Sequence, residues 1–269
     1  MYYNLNDFFL DPVALKIGPI VVRWYALAYI AGLFLGWRYC VLLLGRAPFV
    51  MKPQQLEDLL FYATIGVIIG GRLGYVFFYN PVYFFDNPLE ILKIWRGGMS
   101  FHGGLLGVSA VGLIISYKKN IPLLPLTDLL AAAAPIGLFF GRIANFINGE
   151  LFGRLSNVPW AVIFPNGGPL PRHPSQLYEA ALEGFLLFSL LGVLAFFTKV
   201  RHYAGILTSL FLLGYGTTRA VVEFFREPDP QLGLFIEYFT MGHLLCVPMI
   251  VLGIILLIYS VKHSSPLND

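Results

Sequence analysis

The chain has 269 residues, 57% of them hydrophobic and only 12% charged, with a formal net charge of +3. A mean hydropathy of +0.72 excludes an ordinary soluble domain and makes the bilayer the first partner, nucleic acid not being among those expected. The only cysteines, Cys40 and Cys246, fall in or at the end of apolar stretches on no metal-like spacing, so neither a structural disulfide nor a metal site is expected.

The first segment, "MYYNLNDFFLDPVALKIGPI", lacks a basic start and a small-residue cleavage site, and reads as no removable signal peptide. Beyond it, apolar stretches approach the roughly 20 residues that cross about 30 Å of hydrocarbon, and their lack of alternation selects helices over a barrel. Spans are expected at about 19–44, 57–79, 99–117, 124–147, 175–197, 204–226 and 239–261. The predicted fold is therefore an all-α integral membrane protein: a bundle of about seven transmembrane helices, one domain over residues 1–269, with outer-face loops forming a small extracytoplasmic cap. Lys and Arg beside helix ends in "GRAPFVMK", "KKN" and "TKVRHY", and Lys262 in the tail, put those ends in the cytoplasm, the N-terminus outside and the C-terminus inside.

Polar residues within spans are costly and usually face a bundle interior or a water-filled cavity. In the second span Arg72 sits among Gly66, Gly70 and Gly74, which recur every fourth residue and favour close helix approach; Gly103 and Gly107, and Gly137 and Gly141, repeat that spacing. His102 opens the third span between glycines, where an imidazole is either a hydrogen-bonded anchor or a proton acceptor. In the fourth span, at about 100° per residue, Arg142, Asn145 and Gly149 share one arc with Glu150 at its edge. His173 precedes Pro174 and a helix start at Ser175; in the fifth span Gln176, Glu179 and Glu183 share a face, either as site residues or as partners of a neighbouring arginine. In the sixth, Tyr215, Arg219, Glu223 and Arg226 follow at steps of four, four and three, forming one stripe that is either an ion-pair ladder or part of a site. His102, Arg142, Asn145, Glu150, His173, Arg219, Glu223 and Arg226 all fall at outer ends of spans, with no comparable cluster at the inner ends. Several arginines without a metal-ligand set point to a phosphate or another anion, because guanidinium matches phosphate oxygens and stays charged.

Five blocks, "RWYALAY" (23–29), "HGGLLG" (102–107), "GRIANFINGELFG" (141–153), "RHPSQLYEA" (172–180) and "YGTTRAVVEFFREPD" (215–229), resemble in order those of the prolipoprotein diacylglyceryl transferase family. The resemblance implies an enzyme of the bacterial cytoplasmic membrane, with its site toward the outer leaflet. Such an enzyme moves the diacylglyceryl group of phosphatidylglycerol onto the lipobox cysteine of a prolipoprotein signal peptide, leaving a thioether and glycerol phosphate, with no metal or organic cofactor. It also implies functional positions at Arg142, Asn145, Glu150 and Gly153 of the central block, at Tyr25, His102, Tyr215, Arg219 and Glu223 elsewhere, and, less directly, at His173 and Arg226. On this reading Arg142 and Arg219 grip the phosphate, His102 takes the thiol proton, Glu150 and Glu223 orient the arginines and Asn145 binds the glycerol or a phosphate oxygen. Gly153, Tyr25 and Tyr215 are taken as lining the lipid site. Ala26, Ala28 and His243 depart from the family's usual Gly, Met and Gln. A lipid or anion transporter lacks support from inverted repeats, and an intramembrane protease rests only on Ser100 standing two residues before His102.

Overall fold

The computed structural model describes residues 3–5, 12–18, 20–228, 234–236, 239–263 and 266–267. Of the expected outer connection 227–238, residues 229–233 and 237–238 lie outside this set, as do 1–2 and 6–11 of the segment read for a signal peptide. In chain order the elements are β1 (Tyr3–Asn4), β2 (Val13–Ile17), β3 (Ile20–Arg23), α1 (Trp24–Leu44), α2 (Pro53–Phe78), α3 (Pro81–Asp86), α4 (Phe101–Lys118), α5 (Leu123–Ile147) and β4 (Val162–Ile163). They continue with α6 (Ser175–Glu179), a π-helical stretch (Ala180–Leu186), α7 (Leu187–Phe197), α8 (Ile206–Glu223), β5 (Leu234–Ile236), β6 (Phe239–Thr240) and α9 (Met241–His263).

Among the described residues six helices are long and apolar enough to cross a membrane: α1, α2, α4, α5, the continuous 175–197 helix and α9. The sixth expected span, α8, falls outside this set because its polar stripe lowers its hydropathy. The first expected span is corrected at its start. Residues before Trp24 form the antiparallel β2–β3 hairpin, Val13 opposite Arg23 and Ile17 opposite Ile20, with Gly18 at the turn in the left-handed region (φ 57°).

Packing groups the residues into two compact units, 49–126 and the remainder. The first is built on α2 against α4. A Cβ on Gly74 would lie 2.8 Å from Gly103 Cα, and one on Gly107 2.8 Å from the Gly66 carbonyl carbon and 3.2 Å from Gly70 Cα. Dispersion and close packing hold such helices together where lipid removes most of the hydrophobic drive. Gly107→Val is therefore expected to part these helices, costing about 1–3 kcal/mol or more by overpacking; an unchanged thermal midpoint in detergent would disprove it.

Arg72, buried in α2, binds the following loop. Its Nε donates to Ile91 O (2.9 Å), Nη1 to Gly97 O (2.5 Å) and Gly98 O (3.1 Å), and Nη2 to Glu90 O (2.6 Å), with its guanidinium 5.0 Å from the Phe84 ring. One side chain thus shapes the 3₁₀ turns Pro88–Leu92 and Ile94–Arg96. The partly buried carboxylate of Glu90 takes Lys93 Nζ and Arg96 Nη1, each at 2.6 Å, and the Lys93 hydrogen bond chiefly holds it below the usual glutamate range.

The second unit comprises α1, most of α5, the 175–197 helix, α8 and α9. Gly32 meets α5 at Gly137, where an added Cβ would sit 3.2 Å from Gly137 Cα, and a Cβ on Gly216 would sit 2.8 Å from Ile250 in α9. Above α5, β1 pairs in parallel with β4, and Leu5, Val162 and Phe164 form a small core with Phe146 and Phe152. Residues 148–174 thereby make the cap, using short strand pairings that no sequence pattern announced. At the start of α5, Asp128 is buried, accepting Gly205 N (2.6 Å), Thr208 N (2.7 Å) and Thr208 Oγ1 (2.6 Å), and so caps α8. Arg201 nearby donates to Leu43 O (2.8 Å) and Arg46 O (3.3 Å), and its burial pulls its pKa below the usual arginine value. The helix ends that the sequence reading places on the inner side thus also carry buried charged groups; these face backbone atoms and neighbouring hydroxyls that complete helix ends.

Candidate active site

α5 carries Arg142 and Asn145 on its last turns, α6 and the π stretch carry Glu179 and Glu183, and α8 carries Tyr215, Arg219 and Glu223, with Arg226 just beyond. These groups converge on Glu179. Its fully buried carboxylate takes Arg142 Nε at 3.2 Å on one oxygen, and Arg219 Nη1 and Arg226 Nη1, both at 2.9 Å, on the other. Glu223 takes Arg219 Nη2 at 2.6 Å and Arg226 Nε at 3.6 Å, and its second oxygen accepts Thr240 Oγ1 at 2.6 Å. Glu183 lies 3.6 Å from Arg142 Nη2, and Tyr215 hydrogen-bonds Arg142. Both open readings of the α8 stripe therefore hold in part: Arg219 and Glu223 make the i,i+4 pair, while Arg219 and Arg226 also reach across to another helix.

Three guanidinium groups are held in place inside low dielectric by one buried carboxylate, and truncating one partner of such a pair is strongly destabilising. A π stretch, which widens the helix by a residue, recurs at functional sites and here brings Glu183 as well as Glu179 against Arg142.

The end of α5 forms a second polar group. Glu150 accepts Asn145 Nδ2 at 2.8 Å and Asn148 Nδ2 at 3.4 Å, and makes no ion pair with an arginine among the described residues. The arginine-orienting role expected of Glu150 is instead carried by Glu179 with Glu223, because the chain leaves the helix after Ile147 and turns the Glu150 side chain toward the asparagines. Gly149 and Leu151 both adopt left-handed backbone (φ 64° and 56°), a conformation strained for leucine. Hydrogen bonds clamp it: Gln176 Nε2 to Glu150 O (2.7 Å) and Ser175 Oγ to Leu151 O (3.1 Å). Tyr25 pairs its hydroxyl with Tyr29 at 3.2 Å and also hydrogen-bonds Asn145.

Gly153 sits where the cap backbone crosses residues after α8. Its N–H donates to His173 O at 2.9 Å, and an added Cβ would meet the Phe225 carbonyl oxygen and His173 Cβ, so close packing accounts for the glycine. His173 packs on Phe225 (ring centres 5.2 Å apart) and sits 3.1 Å from Tyr178 Oη, which accepts Trp160 Nε1 at 2.7 Å. Tyr178 then has its own proton for His173 Nδ1, and desolvation lowers the imidazole pKa, keeping His173 neutral near pH 7. His102 belongs to the 49–126 unit, in the first turn of α4, bordering a groove of about 680 Å³ lined by Leu73, Phe77, Phe78 and Leu106. Ser100 is the buried N-cap of α4, its Oγ accepting Gly103 N at 3.2 Å, which explains this serine without a nucleophile. His243, one of the departures, is buried beside Phe224 (4.5 Å), with Nδ1 3.3 Å from Thr240 N.

The sequence did not single out Glu179 as the hub, nor Thr240. Glu179 left a trace in its shared face with Gln176 and Glu183, whereas Thr240 left none.

Helical spans and a buried arginine–carboxylate network define a multi-pass membrane protein with a polar cluster buried among its helices. Residues 12–259 match the family described as prolipoprotein diacylglyceryl transferase, and the chain belongs to that family of enzymes. It is 54% identical over 257 residues to a relative from Paramagnetospirillum magneticum, covering 95% of this chain and 96% of the relative. Over 260 residues it is 54% identical to one from Rhodospirillum rubrum (96% of this chain, 94% of the relative). Over 248 residues it is 55% identical to one from Azospirillum brasilense (91% and 92%). Each of these relatives is named a phosphatidylglycerol–prolipoprotein diacylglyceryl transferase.

Proposed function

We propose that the chain transfers the diacylglyceryl group of phosphatidylglycerol to the lipobox cysteine of a prolipoprotein signal peptide, in the bacterial cytoplasmic membrane. The observation that carries this reading is the convergence of Arg142, Arg219 and Arg226 on Glu179 inside the helical bundle of a chain belonging to this family. In the reaction the cysteine sulfur forms a C–S bond to the terminal glycerol carbon, and the C–O bond to phosphate breaks with its electron pair leaving on the phosphate oxygen. The thiol proton goes to a base, and glycerol phosphate departs.

Arg142 and Arg219 are assigned to the phosphate, where fixed guanidinium charge offsets the charge growing on the departing oxygen. Glu179 and Glu223 hold those guanidinium planes, Asn145 and Tyr25 take the glycerol or a phosphate oxygen, Glu150 orients Asn145, and Tyr215 braces Arg142. His102 is assigned the thiol proton, on the strength of the sequence match; a free thiol with a pKa of about 8.5 is only a few per cent thiolate at neutral pH. His173, Arg226 and Gly153 support the backbone and the arginines around the site. In the membrane, α8 is the sixth of seven crossings, the basic loops face the cytoplasm, the N-terminus lies outside and the site opens toward the outer leaflet.

The test is reconstitution with phosphatidylglycerol and a lipobox peptide, read by mass spectrometry against a peptide carrying serine in place of cysteine. A diacylglyceryl mass on the cysteine peptide alone is expected; its absence with folded protein and lipid present would overturn the proposal. In the same assay His102→Gln is expected to abolish turnover while phosphatidylglycerol still binds, and retained turnover would move the proton to another acceptor.

A further inference from the structure

One carboxylate of the arginine network is held unlike the others. Glu179 and Glu223 each meet a guanidinium at hydrogen-bond distance, 2.9 and 2.6 Å, whereas among the described residues Glu183 pairs only with Arg142 Nη2, at 3.6 Å. Its side chain is fully buried, and neither of its oxygens has a hydrogen-bond partner among the described residues. An ionisable group in that condition is strongly unfavourable and needs a reason to be there. Packing fixes the backbone beneath it: a Cβ on the adjacent Gly184 would lie 2.8 Å from Phe139 Cα, so the π stretch rests directly on α5 and keeps the Glu183 main chain beside Arg142.

The network contains three guanidinium groups and three carboxylates, which compensate one another. A phosphate ester entering it has to take a guanidinium edge already facing a carboxylate. Two edges stand 3.6 Å from a carboxylate, Arg142 Nη2 before Glu183 and Arg226 Nε before Glu223; the first separates more easily, because Glu183 accepts no hydrogen bond among the described residues, whereas Glu223 is also tied to Arg219 Nη2 and Thr240 Oγ1.

We propose that Glu183 is a positioning residue that weakens the phosphate affinity of Arg142: its carboxylate faces Nη2 when the site is empty and yields that edge to a phosphate oxygen. This rests on the reading that Arg142 receives the phosphate of phosphatidylglycerol. The consequence is release. Glycerol phosphate, with more charge than the diester, would otherwise be held by three arginines without an opposing charge at the Arg142 edge, and binding spent on ground state and product does not speed the chemical step.

The experiment uses the full chain in lipid nanodiscs, with Glu183→Gln and Glu183→Asp beside wild type. Three quantities are measured: the apparent KM for phosphatidylglycerol, kcat, and glycerol phosphate binding by calorimetry. A neighbouring charge shifts such equilibria by roughly one to three powers of ten. Glu183→Gln is therefore expected to lower both KM and the glycerol phosphate Kd by about tenfold, with kcat falling as product leaves more slowly. Glu183→Asp keeps the charge but draws it back by one methylene, giving an intermediate tightening of about threefold. Damage to the fold would weaken affinity, so the sign separates the two. Unchanged or weaker affinity in these variants overturns the proposal, and if the glutamine variant does not fold, the aspartate variant decides by the same criterion. Glycerol phosphate binding needs no turnover, so a wild type that binds it but forms no lipid adduct fails the transferase reading alone.

Discussion

Glu179→Ala is expected to cost about 3–5 kcal/mol of stability, since it strips the shared partner from buried guanidinium groups rather than deleting a pair as a whole. Arg142, Arg219 and Arg226 all contact this carboxylate, and Arg226 would keep only the 3.6 Å approach to Glu223. Exposed ion pairs are worth little because water replaces either partner, but the Glu179 side chain has no exposed surface. Glu179→Gln keeps the shape and one acceptor oxygen and is expected to lose less. The measurement is the unfolding midpoint of the detergent-solubilised protein together with its monodisperse yield. A midpoint equal to wild type in the alanine variant would mean that the arginines find other partners, and that Glu179 is not the hub.

Arg142→Ala is expected to lower turnover per folded enzyme about a hundredfold or more, the loss of roughly 3 kcal/mol of transition-state stabilisation that follows removal of a fixed donor to a developing anion. Arg142 uses Nε toward Glu179 and Nη2 toward Glu183, so one planar group is oriented from two sides. A lysine supplies charge without that fork, and Arg142→Lys is expected to recover only a small part of the rate. Stability has to be measured in parallel, because the alanine variant removes the cation that faces Glu183 at 3.6 Å. Near-normal turnover in folded Arg142→Ala would remove this residue from the phosphate.

Much of the architecture was legible because it is imposed by solvent and periodicity. Apolar runs long enough to span a bilayer read as helices because lipid satisfies no backbone hydrogen bond. The α2 and α4 glycines read as a contact because their four-residue spacing places them on one face, and their backbones meet there. The start of α1 was misread, since Ile17, Ile20, Val21 and Val22 are as apolar as the helix that follows. They pair as a hairpin, whose register depends on Gly18 rather than on hydropathy. Asp128 and Arg201 passed unnoticed because their partners are backbone atoms and hydroxyls distant in sequence.

At the site the division is sharper. The motifs named Arg142, Asn145, Arg219 and Glu223, and helical spacing placed Tyr215, Arg219, Glu223 and Arg226 on one stripe, because 3.6 residues per turn is a property of the chain alone. Which carboxylate those arginines would share was not written in any spacing. It depends on α5, the 175–197 helix and α8 meeting at one depth, on a π stretch that aims Glu183 with Glu179 at Arg142, and on a turn after Ile147 that gives Glu150 to the asparagines. Local periodicity and solvent preference act on neighbours along the chain, whereas the choice of ion partner is settled by distances of a few ångströms between helices far apart in sequence.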